Sequence, residues 1–174
     1  ILGIEASGVF IYGKQIINMA NQMVAFVRRV EFPKLVNKLE VTSSNIIGIS
    51  IRVQKLGLTL AFFSGIILWI GSLLILPIIP DVFSNAVSTV SVLSPVIISG
   101  ALFSVLNQSL IAKGEFSKAA IATNTVTIVA LAISWPLPHI VGFAGFTIAE
   151  VSGHFVGIVL AIFMYQKGIK IRGV

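Results

Sequence analysis

The chain contains mostly apolar runs as long as a lipid bilayer is thick. A spanning helix needs about 20 such residues. Five stretches supply them: 8–30, 56–79, 86–112, 117–137 and 141–166. Transmembrane strands would be about ten residues long with alternating polarity. These runs are longer and apolar on most sides, so they read as helices. Composition agrees: 56% of the 174 residues are hydrophobic and 10% are charged, with a mean hydropathy of +1.04. A soluble domain carries about 25% charged residues, and a disordered chain needs low hydrophobicity; both classes are excluded. The chain has no cysteine, which removes disulfides and thiolate chemistry. The expected fold class is all-α: a polytopic transmembrane helix bundle of five spanning helices.

Proline and glycine punctuate the runs. Pro77 and Pro80 close the second, with Asp81 and Asn85 in a short polar turn. Pro136 and Pro138 close the fourth, flanked by Trp135 and His139 as interfacial residues. Gly114 turns the chain between the third and fourth runs. Pro95 lies inside the third, where a missing N–H predicts a kink. Phe32-Pro33-Lys34 is expected to break the first helix, and residues 34–55 to lie on the membrane surface as a cytoplasmic amphipathic segment.

Twelve Lys and Arg stand against six Asp and Glu. In a soluble protein that excess would suggest nucleic acid; here its placement gives topology, and no nucleic-acid partner is expected. Arg28, Arg29, Lys34, Lys38, Arg52 and Lys55 surround the segment between the first two runs. Lys113 and Lys118 flank the next turn on the same side, and Lys167, Lys170 and Arg172 follow the last run. The two remaining turns carry no Lys or Arg. The positive-inside rule then places the basic segments and the C-terminus in the cytoplasm and the N-terminus outside. An outside N-terminus without a cleavable signal, beginning at Ile1, predicts a piece of a longer protein.

Polar residues within spans cost energy and mark bundle interiors or water-filled cavities. The first run carries Lys14, Gln15, Asn18, Asn21 and Gln22 at helical spacing, which reads as one cavity-lining stripe. Lys14 on such a stripe either holds an anion such as a phosphate or snorkels to the headgroups; the amides otherwise serve as interhelical hydrogen bonds. The fifth run carries Thr147, Glu150 and His154. Glu150 and His154, one turn apart, are ion- or proton-coupling candidates, or else a structural Glu–His hydrogen bond. Asn107 and Gln108 in the third run and Thr123, Asn124 and Thr127 in the fourth line the same path or join helices. Gly153 and Gly157 fit small-xxx-small helix packing. Paired carboxylates, phosphate-cradling glycine loops and nucleophile elbows are missing from the sequence, so neither enzyme activity nor a cofactor is expected. Two ligands at i, i+4 without a third do not make a metal site.

The order of these features resembles the bacterial polysaccharide (O-antigen type) flippases of the multidrug/oligosaccharidyl-lipid/polysaccharide exporter superfamily. Ile4-Glu5-Ala6-Ser7-Gly8-Val9-Phe10-Ile11-Tyr12 is similar to that family's G-x-E-x-x-G-x-Y/F helix start, and Arg29-Val30-Glu31-Phe32-Pro33-Lys34 to its v-x-F-P-x-l helix end. Leu76-Pro77-Ile78-Ile79-Pro80-Asp81-Val82-Phe83, Leu93-Ser94-Pro95 and Lys113-Gly114 follow in the family's order. The resemblance covers essentially the whole chain as the last five helices of the second of two six-helix lobes. It departs by lacking the first lobe and the second lobe's first helix, and at Pro80-Asp81-Val82-Phe83-Ser84, where many members have a Phe-Gly pair.

The resemblance implies a flippase that moves undecaprenyl-pyrophosphate-linked oligosaccharide across the bacterial inner membrane by alternating access. Lys14 would meet the pyrophosphate or anionic sugars, and the amides sugar hydroxyls. Glu150 would couple ion or proton movement. The implied partners are the lipid-linked glycan, membrane lipids, the missing N-terminal lobe, and glycan polymerase and chain-length machinery. The alternatives are a drug/cation antiporter of the same fold and a non-transport membrane scaffold.

Overall fold

A computed structural model describes residues 4–41 and 45–171. Arg172 lies outside the described residues, as do the side chains of Glu5, Asp81, Lys167 and Lys170. The described chain is helical throughout, without strands. Its helices are α1 (Ile4–Val41), α2 (Ile46–Val53), α3 (Lys55–Ile75), α4 (Asp81–Leu93), α5 (Pro95–Ala112), α6 (Phe116–Ser134), α7 (Leu137–Val141) and α8 (Ala144–Ile171). Four helical stretches are long and apolar enough to cross a membrane: Lys55–Ile75, Phe83–Ala112, Phe116–Ser134 and Ala144–Gln166. The first of the five expected spans is helical and long, but Lys14, Gln15, Asn18, Asn21 and Gln22 leave it too polar to join them.

The α4–α5 stretch is central. Some 56% of its most apolar window is buried, against 17%, 11% and 28% for the other three. On one side α1 and α3 pack against α4 and α5; on the other α6 and α8 pack together, with α8 also against α5. Ile17, Val24, Ala61, Val90, Leu93, Ile97 and Ala101 form one core cluster. Leu106, Leu110, Ala119, Ala161 and Tyr165 form the second. Both draw on the central stretch, which therefore joins the two halves.

The break between α4 and α5 follows from Pro95. Proline at 95 cannot donate to the carbonyl four residues earlier, at Ser91. The Ser94 hydroxyl donates to that oxygen instead, at 2.8 Å. Thr147 of α8 donates to the neighbouring Val92 carbonyl at 2.9 Å. Side chains thus solvate the opened backbone where water is scarce, and the helical stretch over 86–112 is interrupted at Ser94, beside the proline expected to kink it.

Pro33 behaves differently from expectation: α1 continues through it to Val41. The carbonyl it deprives belongs to Arg29; both residues are exposed, so solvent or headgroups can satisfy it. Beyond the proline Leu35 and Leu39 are fully buried and hold two further turns on the bundle. Residues 34–55 are accordingly not one surface strip but the end of α1 followed by the short α2. Asn45 caps α2 from the left-handed region (φ 53°), accepting from the Gly48 N–H. Asp81 and Asn85 also differ: α4 begins at Asp81, so both belong to a helix rather than a turn. The α5–α6 turn is as expected. Gly114 sits at φ +75°, its N–H donates to Ile111 and that of Glu115 to Leu110, the hydrogen-bond pattern of a Schellman cap.

Candidate functional site

Helix α1 has two unlike faces. Gly13, Ile17, Val24, Arg28, Glu31, Leu35 and Leu39 are buried at helical spacing. Gln15, Asn18 and Gln22 lie on the outward face and are exposed; Lys14 and Asn21 are half-buried at its margin. The predicted stripe therefore points away from the chain's own core. The side chains of Gln15, Asn18 and Gln22 make no hydrogen bond among the described residues.

Lys14 reaches across to α8. Its Nζ donates to Glu150 Oε1 at 2.8 Å, with side chains 43% and 30% exposed. The structure thus joins two residues assigned separate roles from the sequence. Phe10, one turn before Lys14, places its ring centroid 5.8 Å from Nζ. That ring stacks on Phe143 at 5.5 Å and tilts against Phe146 at 4.9 Å. Phe143 immediately precedes α8 and Phe146 lies in its first turn, so the aromatic cluster joins α1 to the start of α8.

His154 does not hydrogen-bond Glu150. Its Nδ1 lies 3.0 Å from Ser99 Oγ, and its ring stacks on Phe103 at 6.0 Å. Glu150 and His154 share a face of α8 but are anchored to different helices. Asn107 joins α5 to α6 by donating to Thr123 Oγ1 at 3.1 Å. The Oδ1 of Asn107 and the Oε1 of Gln108 are buried without a partner. No group of three or more His, Cys, Asp or Glu side chains that could hold a metal occurs among the described residues.

A second polar junction was not legible in the sequence, where Arg28 and Glu31 counted only as topology charges. Both are buried. The Glu31 carboxylate accepts from the N–H groups of Leu56 (3.2 Å) and Gly57 (3.3 Å), at the start of α3. Those N–H groups lack intrahelical partners and carry partial positive charge, so an anion there is favourable. Arg28 lies against Gly57 and donates to the Ala101 carbonyl at 3.5 Å, which ties α1 to α3 and α5. Beside it Gln54 is fully buried and donates to Val105, and Ser50 meets Ser109. The spacing of Arg28, Glu31, Leu35 and Leu39 was the available signal: three and four residues apart, in register with Ile17 and Val24. Glu31→Ala is expected to destabilise the bundle by about 1–3 kcal/mol, the scale for unpaired buried polar groups. Glu31→Gln, which keeps one carbonyl acceptor, should lose less; denaturation of the purified variants in mixed micelles measures the difference.

Comparison with family models, with curated proteins and with solved structures gives no match for this chain.

Proposed function

We propose that the chain is part of a membrane transporter that moves a lipid-linked oligosaccharide across the bacterial inner membrane by alternating access. One observation carries this reading: an amide face, Gln15, Asn18 and Gln22, exposed on a helix packed along apolar spanning helices. Exposed amides at bilayer depth are costly against hydrocarbon. They are stable against a water-filled cavity, where they offer donors and acceptors to sugar hydroxyls. The ammonium of Lys14 at the same margin suits a diphosphate. With α1 crossing as a polar, cavity-lining helix beside the four apolar spans, the basic segments fall on one side, which supports an inside C-terminus and an outside N-terminus.

A cation antiporter fits less well. It would use Glu150 as a free carboxylate, and that group is already held by Lys14. A scaffold would use the amides as helix glue, yet within this chain they join nothing.

Lys14→Ala and Asn18→Ala, placed in the full-length protein, test the site. Each is expected to lower surface polysaccharide several-fold, with lipid-linked glycan accumulating in the membrane. Unchanged levels of both with normal protein abundance would remove the assignment.

A further inference from the structure

We propose that α6 pairs with the α6 of a second copy of this chain, along an exposed seam centred on Asn124. The inference goes beyond the transport reading and does not rest on it.

Asn124 stands eight residues after Phe116 and ten before Ser134, the two ends of α6. At about 1.5 Å per residue those ends are about 12 Å and about 15 Å away. The amide therefore lies near the middle of a hydrocarbon core about 30 Å thick. Its side chain is exposed and makes no hydrogen bond among the described residues. The threonines of α6 differ. Thr123, Thr125 and Thr127 donate their hydroxyls to carbonyls of their own helix, those of Ala119, Ile121 and Thr123. Thr123 also accepts from Asn107. Asn124 is left with its donors and acceptors unmatched at a depth where that is costly until a neighbour satisfies them.

The residues around it offer a surface for such a neighbour. Ser117, Ala120, Asn124, Thr127 and Leu131 are all exposed, and follow one another at intervals of three, four, three and four. That is the 3.5-residue repeat of a seam that keeps facing a partner helix. Ser117, Ala120 and Thr127 are small enough for two backbones to approach closely, as helix association in lipid requires. The seam is not the face that α6 uses within the chain. Ala119 and Ala122 are buried on that face, and Val126 and Ala130 stand against Gly153 of α8.

The occupant is a second copy because the seam is complementary to itself. An amide is both donor and acceptor, so two Asn124 side chains related by a two-fold axis can exchange hydrogen bonds. Both copies insert with the same topology, so the helices run parallel and Asn124 meets its counterpart at the same depth. No charge opposes the pairing. Lys118 is the one ionisable side chain of α6; it lies off the seam and is held by Glu115. A single polar residue in such a seam also fixes its register. Helix α1 lies across the central α4–α5 stretch from α6, so its amide face stays open.

The chain has no cysteine, so single introduced cysteines report on the seam without interference. The whole chain carrying Ala120→Cys or Leu131→Cys is oxidised in liposomes at low protein-to-lipid ratio. Both variants are expected to form a disulfide-linked dimer. Ile121→Cys, equally exposed but about 100° round the helix from Ala120, is not. Energy transfer between copies tagged with donor and acceptor fluorescent proteins, followed as lipid dilutes them, gives the dimer dissociation constant. Asn124→Leu should weaken the dimer about tenfold, the scale of two lost interhelical hydrogen bonds. Asn124→Gln, which keeps the amide, should weaken it less. Ile121→Cys linking as readily as Ala120→Cys, or an Asn124→Leu dimer as tight as the parent's, overturns the proposal. A chain that is monomeric at every dilution overturns it as well; reaction of Asn124→Cys with a water-soluble maleimide would then assign the face to water, and no reaction would assign it to lipid. Cross-links in cell membranes exclusively to a different protein assign the seam to that partner and likewise overturn the pairing. Each of these failures leaves the transport reading standing.

Discussion

Gly153→Leu is expected to part α8 from α6 and to leave little folded protein. A Cβ at Gly153 would stand 2.7 Å from the Val126 backbone oxygen, and one at Gly157 would overlap the side chains of Val126 and Phe103. A backbone oxygen cannot rotate aside as a side chain can, so relief requires moving a helix. Forcing extra atoms into a packed core costs about 1–3 kcal/mol and occasionally more. Total stabilities of about 5–15 kcal/mol leave limited margin for the larger values. Within the membrane the loss is not recovered by hydrophobic association elsewhere, because helix association there depends on close packing. Gly153→Ala should already destabilise measurably, and Gly157→Leu should resemble Gly153→Leu. Gly71→Ala provides the contrast. Nothing lies within 4 Å of its added Cβ, so helix propensity alone acts and should stabilise by up to about 1 kcal/mol. Unfolding in mixed micelles, followed by circular dichroism, reads all four. A Gly153→Ala protein as stable as the parent would show that α6 and α8 do not approach as described.

Reversing either charge of the α1–α8 pair should weaken the protein, and reversing both should restore most of what is lost. Lys14→Glu sets two carboxylates against each other where α1 meets α8; Glu150→Lys sets two ammonium groups. The side chains are 43% and 30% exposed, so the interaction lies between the surface range of about 0.2–1 kcal/mol and the about 3–5 kcal/mol seen when a fully buried pair is broken. Each single reversal is therefore expected to cost about 1–3 kcal/mol. The double reversal, Lys14→Glu with Glu150→Lys, should recover at least about 1 kcal/mol as a pairwise coupling. A coupling near zero would mean that the two groups do not meet in the membrane-embedded protein. Glycan export in cells carrying the same three variants is a separate test of the proposed function: Lys14→Glu, which puts a negative charge where that proposal places a diphosphate, should abolish it.

Much of the fold could be read from residue order because the bilayer imposes one-dimensional rules. Apolar length marked four of the five expected spans, and the Schellman turn at Gly114 follows from a residue that tolerates positive φ. The exceptions are instructive. Pro33 was expected to end a helix, but the buried Leu35 and Leu39 hold the next turns in place. Pro95 interrupts its stretch where a kink was expected; the sequence did not show that Ser94 and Thr147 take over the opened carbonyls. The candidate site was legible only as a list. Lys14, the amides, Glu150 and His154 announced themselves by being polar within apolar runs. Their partners did not, since pairing across 136 positions of sequence leaves no local trace.

The sequence by itself determined that this is an apolar, all-helical chain, and that it turns at Gly114. It also determined that α1 carries a polar face, because spacing along a helix fixes which residues share a side. Only the tertiary structure decided which way that face points. It also showed that Lys14 spends its charge on Glu150, that His154 is held by Ser99 instead, and that Glu31 caps α3. Periodicity specifies a direction relative to the helix axis; which neighbour stands in that direction is set by how the helices pack.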